Sequence, residues 1–192
     1  MTESLSIPPA LSTRFEDALV YAHTLHQTQP RKGTSIPYIS HLMAVTSLVL
    51  EHGGTEDQAI AALLHDAVED AGGEPILKEI RKRFGDSVAD MVNDCTDAWS
   101  APKPSWLERK KAYLKSMPTK PLTSLLVSLA DKTHNAEAIQ NDYLILGEKL
   151  WPRFNGGAEG TRWYYSELFE EFKLRLPGPL TDRLGRAVKS FK

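Results

Sequence analysis

A short stretch of this sequence combines one histidine with three acidic side chains. His65 and Asp66 are adjacent. Glu69 and Asp70 follow one helical turn later. Because residues i and i+4 share a face of an α-helix, each later carboxylate is predicted to lie over one member of the His-Asp pair. The apolar run 61–64 indicates that this helix is buried, where unpartnered carboxylates are costly, so the pattern predicts a metal site.

Two other segments contain residues that would complete such a site. His41 follows a Pro-Tyr pair, and Asp131 ends an apolar run. A lone His-Asp pair is more often a structural hydrogen bond, but the second histidine and second aspartate favour a metal. The predicted ligands are His41, His65, Asp66 and Asp131. The single cysteine, Cys95, excludes a cysteine-based zinc site, and the mixed donors leave Mn²⁺, Mg²⁺, Zn²⁺ and Fe²⁺ open.

The remaining two carboxylates of the His-Asp stretch suit proton transfer. Four protein ligands leave positions on a divalent ion for water and for a substrate oxygen. Glu69 and Asp70 are therefore predicted to orient or deprotonate the bound water, which makes them the candidate catalytic residues. The alternative is a carboxylate pair at a helix end that faces solvent.

Polar and basic residues near the predicted ligands are candidates for substrate binding. Arg31 and Lys32 lie in a proline-bounded loop before His41 and could clamp a phosphate. Asn135 lies one turn beyond Asp131, where its amide would reach a ribose or phosphate oxygen or simply occupy a polar helix position. Lys132 either assists there or is solvated. The basic run 109–111 is expected to be a solvated helix face, with phosphate binding as the alternative, and His134 is expected to be structural.

The elements that must position these residues are helices. Apolar stripes of helical spacing recur along the chain, and strand signals are nearly absent. Thr55 to Gln58 and Ser105 to Glu108 have the pattern of capping boxes, and Gly53-Gly54 marks a helix end. The sequence therefore predicts an all-α bundle of roughly eight to ten helices.

Length and composition indicate one domain without nucleic-acid or membrane partners. With 192 residues, the chain is expected to form a single domain: a loose tail over 1–11, a catalytic core over 12–140 and C-terminal helices over 141–192. A net charge of −2 gives no reason to expect nucleic-acid binding. No apolar run approaches the ~20 residues that span a bilayer. One cysteine fits the cytoplasm, and an exposed apolar face would support a homodimer.

Four segments together resemble the HD superfamily of metal-dependent phosphohydrolases, and more narrowly the hydrolase domain of the RelA/SpoT proteins. In chain order the shared segments are Arg31-Lys32, Pro37-Tyr38-x-x-His41, His65-Asp66-x-x-Glu69-Asp70 and Leu129-Ala130-Asp131-Lys132-x-x-Asn135. The resemblance covers roughly Phe15 to Gln140. The chain resembles the stand-alone small alarmone hydrolases of this family. This resemblance implies the compact helical HD fold.

The resemblance also implies an activity and roles for residues. It implies Mn²⁺ and hydrolysis of the 3′-diphosphate of (p)ppGpp to GDP or GTP and pyrophosphate, in the cytoplasm. The implied ligands are the four named above, with Glu69 and Asp70 acting on the water. The implied nucleotide contacts are Arg31, Lys32 and Asn135, and Tyr164 is implied to lie near the base or ribose.

Two positions depart from the family pattern and leave the nucleotide open. Glu137 and Ala138 stand where an arginine and then a threonine or aspartate are common. A carboxylate there would repel a phosphate or pair with a nearby base. The alternatives are the same chemistry on a ppApp-type alarmone or on the 2′-phosphate of NADPH, and a non-catalytic module that binds a nucleotide.

Overall fold

The computed structural model describes residues 11–97 and 104–191, and these residues form an all-α fold. Ten α-helices, α1 to α10 in chain order, span Thr13–His26, Ile39–Glu51, Glu56–Leu64, Ala67–Ala71, Glu74–Phe84, Asp86–Cys95, Trp106–Ser116, Leu122–Leu146, Gly157–Arg175 and Pro179–Ser190. Two 3-10 helices cover Met117–Thr119 and Gly147–Arg153. The prediction of an all-α fold of eight to ten helices is confirmed for the described residues. The predicted tail falls almost entirely outside them.

Helix α3 lies at the centre of the core. The predicted capping box forms, because Thr55 accepts from the Gln58 amide and Gln58 accepts from the Thr55 amide in return. Residues 59–64 are at most 1% exposed, so the whole circumference of the helix is buried. Helices α1, α2, α6 and α8 pack around it. This packing brings the C-terminal end of α3 to the place where several helices meet.

The continuous helix predicted through the His-Asp pair is wrong. Helix α3 ends at Leu64, and α4 begins only at Ala67. The His65 imidazole donates from Nδ1 to the carbonyl oxygen of Ala62 at 2.8 Å. A side chain therefore donates to one of the last backbone carbonyls of α3. The break places His65 and Asp66 in a turn, although the Asp70 amide still donates to the Asp66 carbonyl.

Helix α8 carries the predicted ligand Asp131 and runs for 25 residues. The sequence pattern predicts its end at about Gln140, but the helix continues to Leu146. Its stop is Gly147, whose φ of 55° is the left-handed conformation that favours glycine. The sequence pattern also predicts that helix α6 reaches about Ala98, which lies outside the described residues, but the helix ends at Cys95.

The C-terminal helices cover the end of α8. Helix α10 packs against α8 and α9. Trp106 of α7 lies against the start of α9, where a Cβ on Gly156 would come within 2.6 Å of its ring. Glycine is therefore required for the two helices to approach this closely. None of the described helices is long and apolar enough to cross a membrane.

Candidate active site

The structure brings the four predicted ligands together. His65 Nε2 lies 3.0 Å from Asp66 Oδ2 and 3.5 Å from Asp131 Oδ1. His41 Nε2 lies 3.2 Å from Asp131 Oδ1 and 3.6 Å from Asp66 Oδ2. Ligand atoms of His41, His65 and Asp66 all lie within 4.8 Å of one another. We call these four residues the ligand cluster.

The donor set of the ligand cluster fits a divalent cation. Both Nε2 atoms are buried, yet neither makes a hydrogen bond to the described residues despite the nearby carboxylate oxygens. Since His65 donates from Nδ1 to a backbone carbonyl, its neutral form leaves the Nε2 lone pair pointing at the carboxylates. Burial lowers the pKa of His65, but Asp66 and Asp131 raise it well above its usual value. A cation bound between these atoms would replace the proton that the raised pKa favours on His65 Nε2.

His134, for which the sequence predicts a structural role, contacts the ligand cluster directly. Its Nδ1 lies 2.8 Å from Nδ1 of His41. Burial, together with the charges of His41 and Arg31, lowers the pKa of His134 to about 4, so His134 is neutral at pH 7. A neutral His134 can accept a hydrogen bond from Nδ1 of His41, which is the tautomer of His41 that metal binding through Nε2 requires. His41 then keeps its Nε2 lone pair for a metal. The signal for this contact is the spacing of His134 from Asp131 on α8.

The two aspartates of the cluster are held by neighbouring donors. The Tyr38 hydroxyl donates to Asp66 Oδ2 at 2.6 Å. Lys132 donates to Asp131 Oδ2 at 2.6 Å, and the Asn135 amide donates to Asp131 Oδ1. Burial raises the pKa of both carboxyls, but His65 beside Asp66 and Lys132 beside Asp131 keep each pKa well below its usual value. Both aspartates are therefore ionised, which is the state in which a carboxylate can bind a metal.

Glu69 and Asp70 lie in α4 beside the cluster, but they occupy different surroundings. Asp70 is exposed and accepts from the Gln29 amide at 2.8 Å. Glu69 is half-buried and contacts Asp97. Arg109 and Lys110 donate to Asp97 at 2.7 and 2.6 Å. Neither Gln29 nor Asp97 was singled out from the sequence, because nothing in their local pattern marks them.

The wide cavity next to the cluster has a volume of about 490 Å³. Arg31, Lys32, Asn135, Glu137 and Ala138 are among its lining residues. Arg31 donates to Asn135 Oδ1 at 2.8 Å, so these two predicted contact residues are joined to each other and, through Asn135, to Asp131. Lys32 is exposed on the same cavity. This arrangement offers cationic and amide groups to an anionic ligand.

Glu137 pairs with an arginine that the sequence did not suggest. Arg183 of α10 donates from both Nε and Nη2 to the Glu137 carboxylate, the second bond at 3.0 Å. Glu137 therefore brings little uncompensated negative charge to the wide cavity. Of the two expectations for this position, repulsion of a phosphate or pairing with a base, the structure has the second.

A narrow cavity of about 180 Å³ lies on the other side of Asn135. Lys110, Lys132, Trp106 and Tyr164 are among its lining residues. The Tyr164 hydroxyl is buried without a hydrogen-bond partner among the described residues, and Lys110 Nζ lies 5.0 Å from the centre of its ring. The expected solvated face of the basic run is thus wrong for Lys110, whereas its neighbour Lys111 is exposed.

The family model described as HD domain matches residues 18–144 of this chain. The chain belongs to the HD domain family. The matched range contains all four residues of the ligand cluster and both candidate catalytic carboxylates. The resemblance inferred from the sequence segments is confirmed at the level of the family.

Curated relatives share the same region. MESH1 of Xenopus tropicalis, named a guanosine-3′,5′-bis(diphosphate) 3′-pyrophosphohydrolase, is 37% identical over 122 residues, which are 62% of this chain and 65% of that protein. MESH1 of Drosophila melanogaster is 32% identical over 132 residues, 67% of this chain and 71% of that protein. The chain therefore spans about two thirds of the length of these relatives.

Two solved structures share the fold. One, a metazoan ortholog of SpoT described as hydrolysing ppGpp, matches with a TM-score of 0.74 at 24% identity, over 93% of this chain and 95% of that one. The other, lmo0812 of Listeria monocytogenes, matches with a TM-score of 0.68 at 30% identity, over 78% of this chain and 96% of that one. The fold extends beyond the matched core into the C-terminal helices.

Proposed function

We propose that this protein hydrolyses the 3′-diphosphate of (p)ppGpp to GDP or GTP and pyrophosphate. The observation that carries the proposal is the ligand cluster, whose two buried Nε2 atoms face two ionised carboxylates. The curated relatives named as 3′-pyrophosphohydrolases of guanosine-3′,5′-bis(diphosphate) supply the substrate. The cationic side chains of the two adjoining cavities suit a ligand with several phosphates.

The four residues of the cluster would hold one divalent metal, which we propose is Mn²⁺. Two aspartates neutralise the charge of such an ion, and neutral imidazoles complete an N/O set. When bound, the metal would acidify a water and offset charge at the phosphate.

The chain's own residues would then move the proton and hold the substrate. Asp70 has a free face towards solvent and would accept a proton from the attacking water. Glu69, half-buried beside Asp97, would serve the same proton transfer. Lys132 and Asn135 fix Asp131 and would also face the phosphates.

The two cavities would divide the nucleotide between them. Lys110 and the Tyr164 hydroxyl in the narrow cavity would contact phosphate oxygens. Arg31 and Lys32 in the wide cavity would contact the remaining phosphates or the ribose, and the wide cavity has room for a purine base. The proposal for Tyr164 therefore shifts from the base or ribose to a phosphate.

A hydrolysis assay tests the proposal. Purified protein is incubated with ppGpp and Mn²⁺, and nucleotides, phosphate and pyrophosphate are separated. We expect GDP and pyrophosphate in equal amounts, and no turnover by Asp66→Ala. As a matched control, Asp90→Ala removes an exposed aspartate that pairs with Arg81, and it should retain full activity. Full activity of Asp66→Ala would contradict the metal mechanism.

The same assay separates the alternatives. Turnover of ppApp with release of pyrophosphate, or of NADPH with release of phosphate, would move the activity to another nucleotide. The observation that favours such a change is that Glu137 and Ala138, the two positions that depart from the family pattern, both line the wide cavity. Binding of ppGpp measured by calorimetry, without turnover of any of these compounds, would indicate a nucleotide-binding module. A cytoplasmic location and a homodimer stay predictions.

A further inference from the structure

Asp70 is an exposed carboxylate with a specific neighbour. Its Oδ2 accepts from Nε2 of Gln29 at 2.8 Å, although 41 residues separate the two in the chain. An exposed carboxylate without such a contact would sample several rotamers. The Gln29 amide therefore restricts the direction in which Asp70 points.

The other end of the Gln29 amide contacts a buried histidine. Gln29 Oε1 lies 2.7 Å from Nδ1 of His26, which is only 2% exposed. A carboxylate only accepts hydrogen bonds, so the nitrogen of Gln29 must face Asp70 and its oxygen must face His26. His26 Nδ1 therefore carries the proton, and the three side chains form one directed chain of hydrogen bonds from His26 through Gln29 to Asp70.

Neighbouring contacts fix this chain in place. The backbone N–H of Gln29 donates to the backbone carbonyl of His26 at 3.0 Å, and the backbone N–H of Tyr38 donates to the backbone carbonyl of Gln29 at 2.9 Å. The His26 ring also stacks on Tyr38, with ring centres 5.2 Å apart and planes at 26°. Tyr38 in turn donates to Asp66 of the ligand cluster. Tyr38 and His26 thus pack together, and they hold Asp66 of the ligand cluster and, through Gln29, the candidate catalytic carboxylate Asp70.

We propose that His26 and Gln29 are positioning residues that aim Asp70 at the attacking water. The inference rests on the proposed function for its catalytic meaning. Neither residue touches the reacting atoms; each acts through the orientation of Asp70.

Two substitutions of His26 distinguish positioning from packing. His26→Asn keeps a donor near the place of Nδ1 but loses the stacked ring, whereas His26→Phe keeps the ring and loses the donor. We expect His26→Phe to lower kcat about ten- to hundredfold at unchanged KM and Mn²⁺ affinity, and His26→Asn to stay within about threefold of the wild type. A packing role predicts the reverse order, which would overturn the proposal. His52→Phe, which removes an imidazole bonded to the Leu48 carbonyl, is the matched control.

A double-mutant cycle tests whether the residues act as one chain. Gln29→Met should lower kcat as much as His26→Phe does, and the double variant should lose no more than either single variant. Additive losses would overturn the proposal.

A spectroscopic measurement separates failure of this inference from failure of the proposed function. The ¹³C resonance of the Asp70 carboxyl should move in Gln29→Met and His26→Phe but not in His26→Asn, whether or not the protein hydrolyses ppGpp. An unmoved resonance would refute the contact. A moved resonance in a protein inactive on every nucleotide would refute the proposed function alone.

Discussion

Each residue of the ligand cluster has a second contact that fixes it, whereas most of the side chains that line the wide cavity beside it remain partly exposed. In the cluster, the second contacts come from Ala62, His134, Tyr38 and Lys132. His41 is fully buried, His65 is 2% and Asp131 5% exposed, and the side chain of Asp66 keeps 21% of its surface exposed. Glu137, which lines the wide cavity, keeps 25% of its side-chain surface exposed, and its partner Arg183 keeps 40%.

Under the proposed function, this difference predicts that the ligand cluster serves the reaction and that the wide cavity serves substrate binding. Buried ligands in a packed core have one arrangement, because a shifted imidazole would lose both its packing and its hydrogen bond. Partly exposed pairs contribute little to stability and can be exchanged at small cost. We therefore expect variants in the cluster to change metal binding or turnover, and variants in the wide cavity to change substrate affinity.

The largest effect is expected next to the ligand cluster, at the two candidate catalytic carboxylates of α4. Glu69→Gln removes a carboxylate without removing a ligand, so kcat should fall about a thousandfold. The Mn²⁺ affinity, measured by calorimetry, should stay within about twofold because the cluster is intact. A parallel loss of metal affinity would show that Glu69 belongs to the cluster. Asp70→Asn is the companion variant and should behave alike.

The second prediction concerns the support of a ligand. His134→Phe removes the group that accepts the proton of His41, so the Mn²⁺ affinity should fall about 10- to 100-fold. His134→Asn offers an amide oxygen at a similar place and should recover most of it. Titration calorimetry measures both. An affinity unchanged in His134→Phe would return His134 to a purely structural role.

The third prediction is the pH dependence of metal binding. The pKa of His65 is raised well above its usual value in the metal-free protein, so a proton must leave before the metal enters. The Mn²⁺ affinity should therefore increase with pH, by up to about tenfold per unit for one proton released. Calorimetry in buffers of different ionisation enthalpy counts that proton. Binding without proton release would contradict the assignment.

The fourth prediction belongs to the wide cavity. Arg31→Ala removes a cation and the hydrogen bond to Asn135 Oδ1, so KM should rise about tenfold, with a smaller change in kcat. Mn²⁺ affinity should not change. Arg81→Ala, which breaks only contacts to Asp86 and Asp90, is the control. If kcat fell more than KM rose, Arg31 would act on the transition state instead.

The smallest effect is expected at the Glu137–Arg183 pair. Arg183→Ala should change the free energy of unfolding by less than about 1 kcal/mol, because the pair is partly exposed. The uncovered carboxylate should raise KM for an anionic nucleotide about two- to threefold. Adding Glu137→Gln should restore KM. A KM that the single variant leaves unchanged would place Glu137 outside the substrate's reach.

The sequence by itself determined the helical fold and the composition of the ligand cluster. Capping boxes and glycine stops act over a few residues, so Thr55, Ser105 and Gly53 could be interpreted without tertiary contacts. Histidine and aspartate at the ends of apolar helices are costly without a partner, so His41, His65, Asp66 and Asp131 were recognisable from their types and neighbours.

Only the tertiary structure decided how these residues are held. His134 and His41 are 93 positions apart in the chain but in contact in the fold. Arg183 and Glu137 are 46 positions apart, and Gln29 and Asp70 are 41 positions apart, and each pair is joined by a hydrogen bond. Sequence patterns report the local chain, whereas each of these contacts depends on how separate elements pack, and packing is a property of the whole fold.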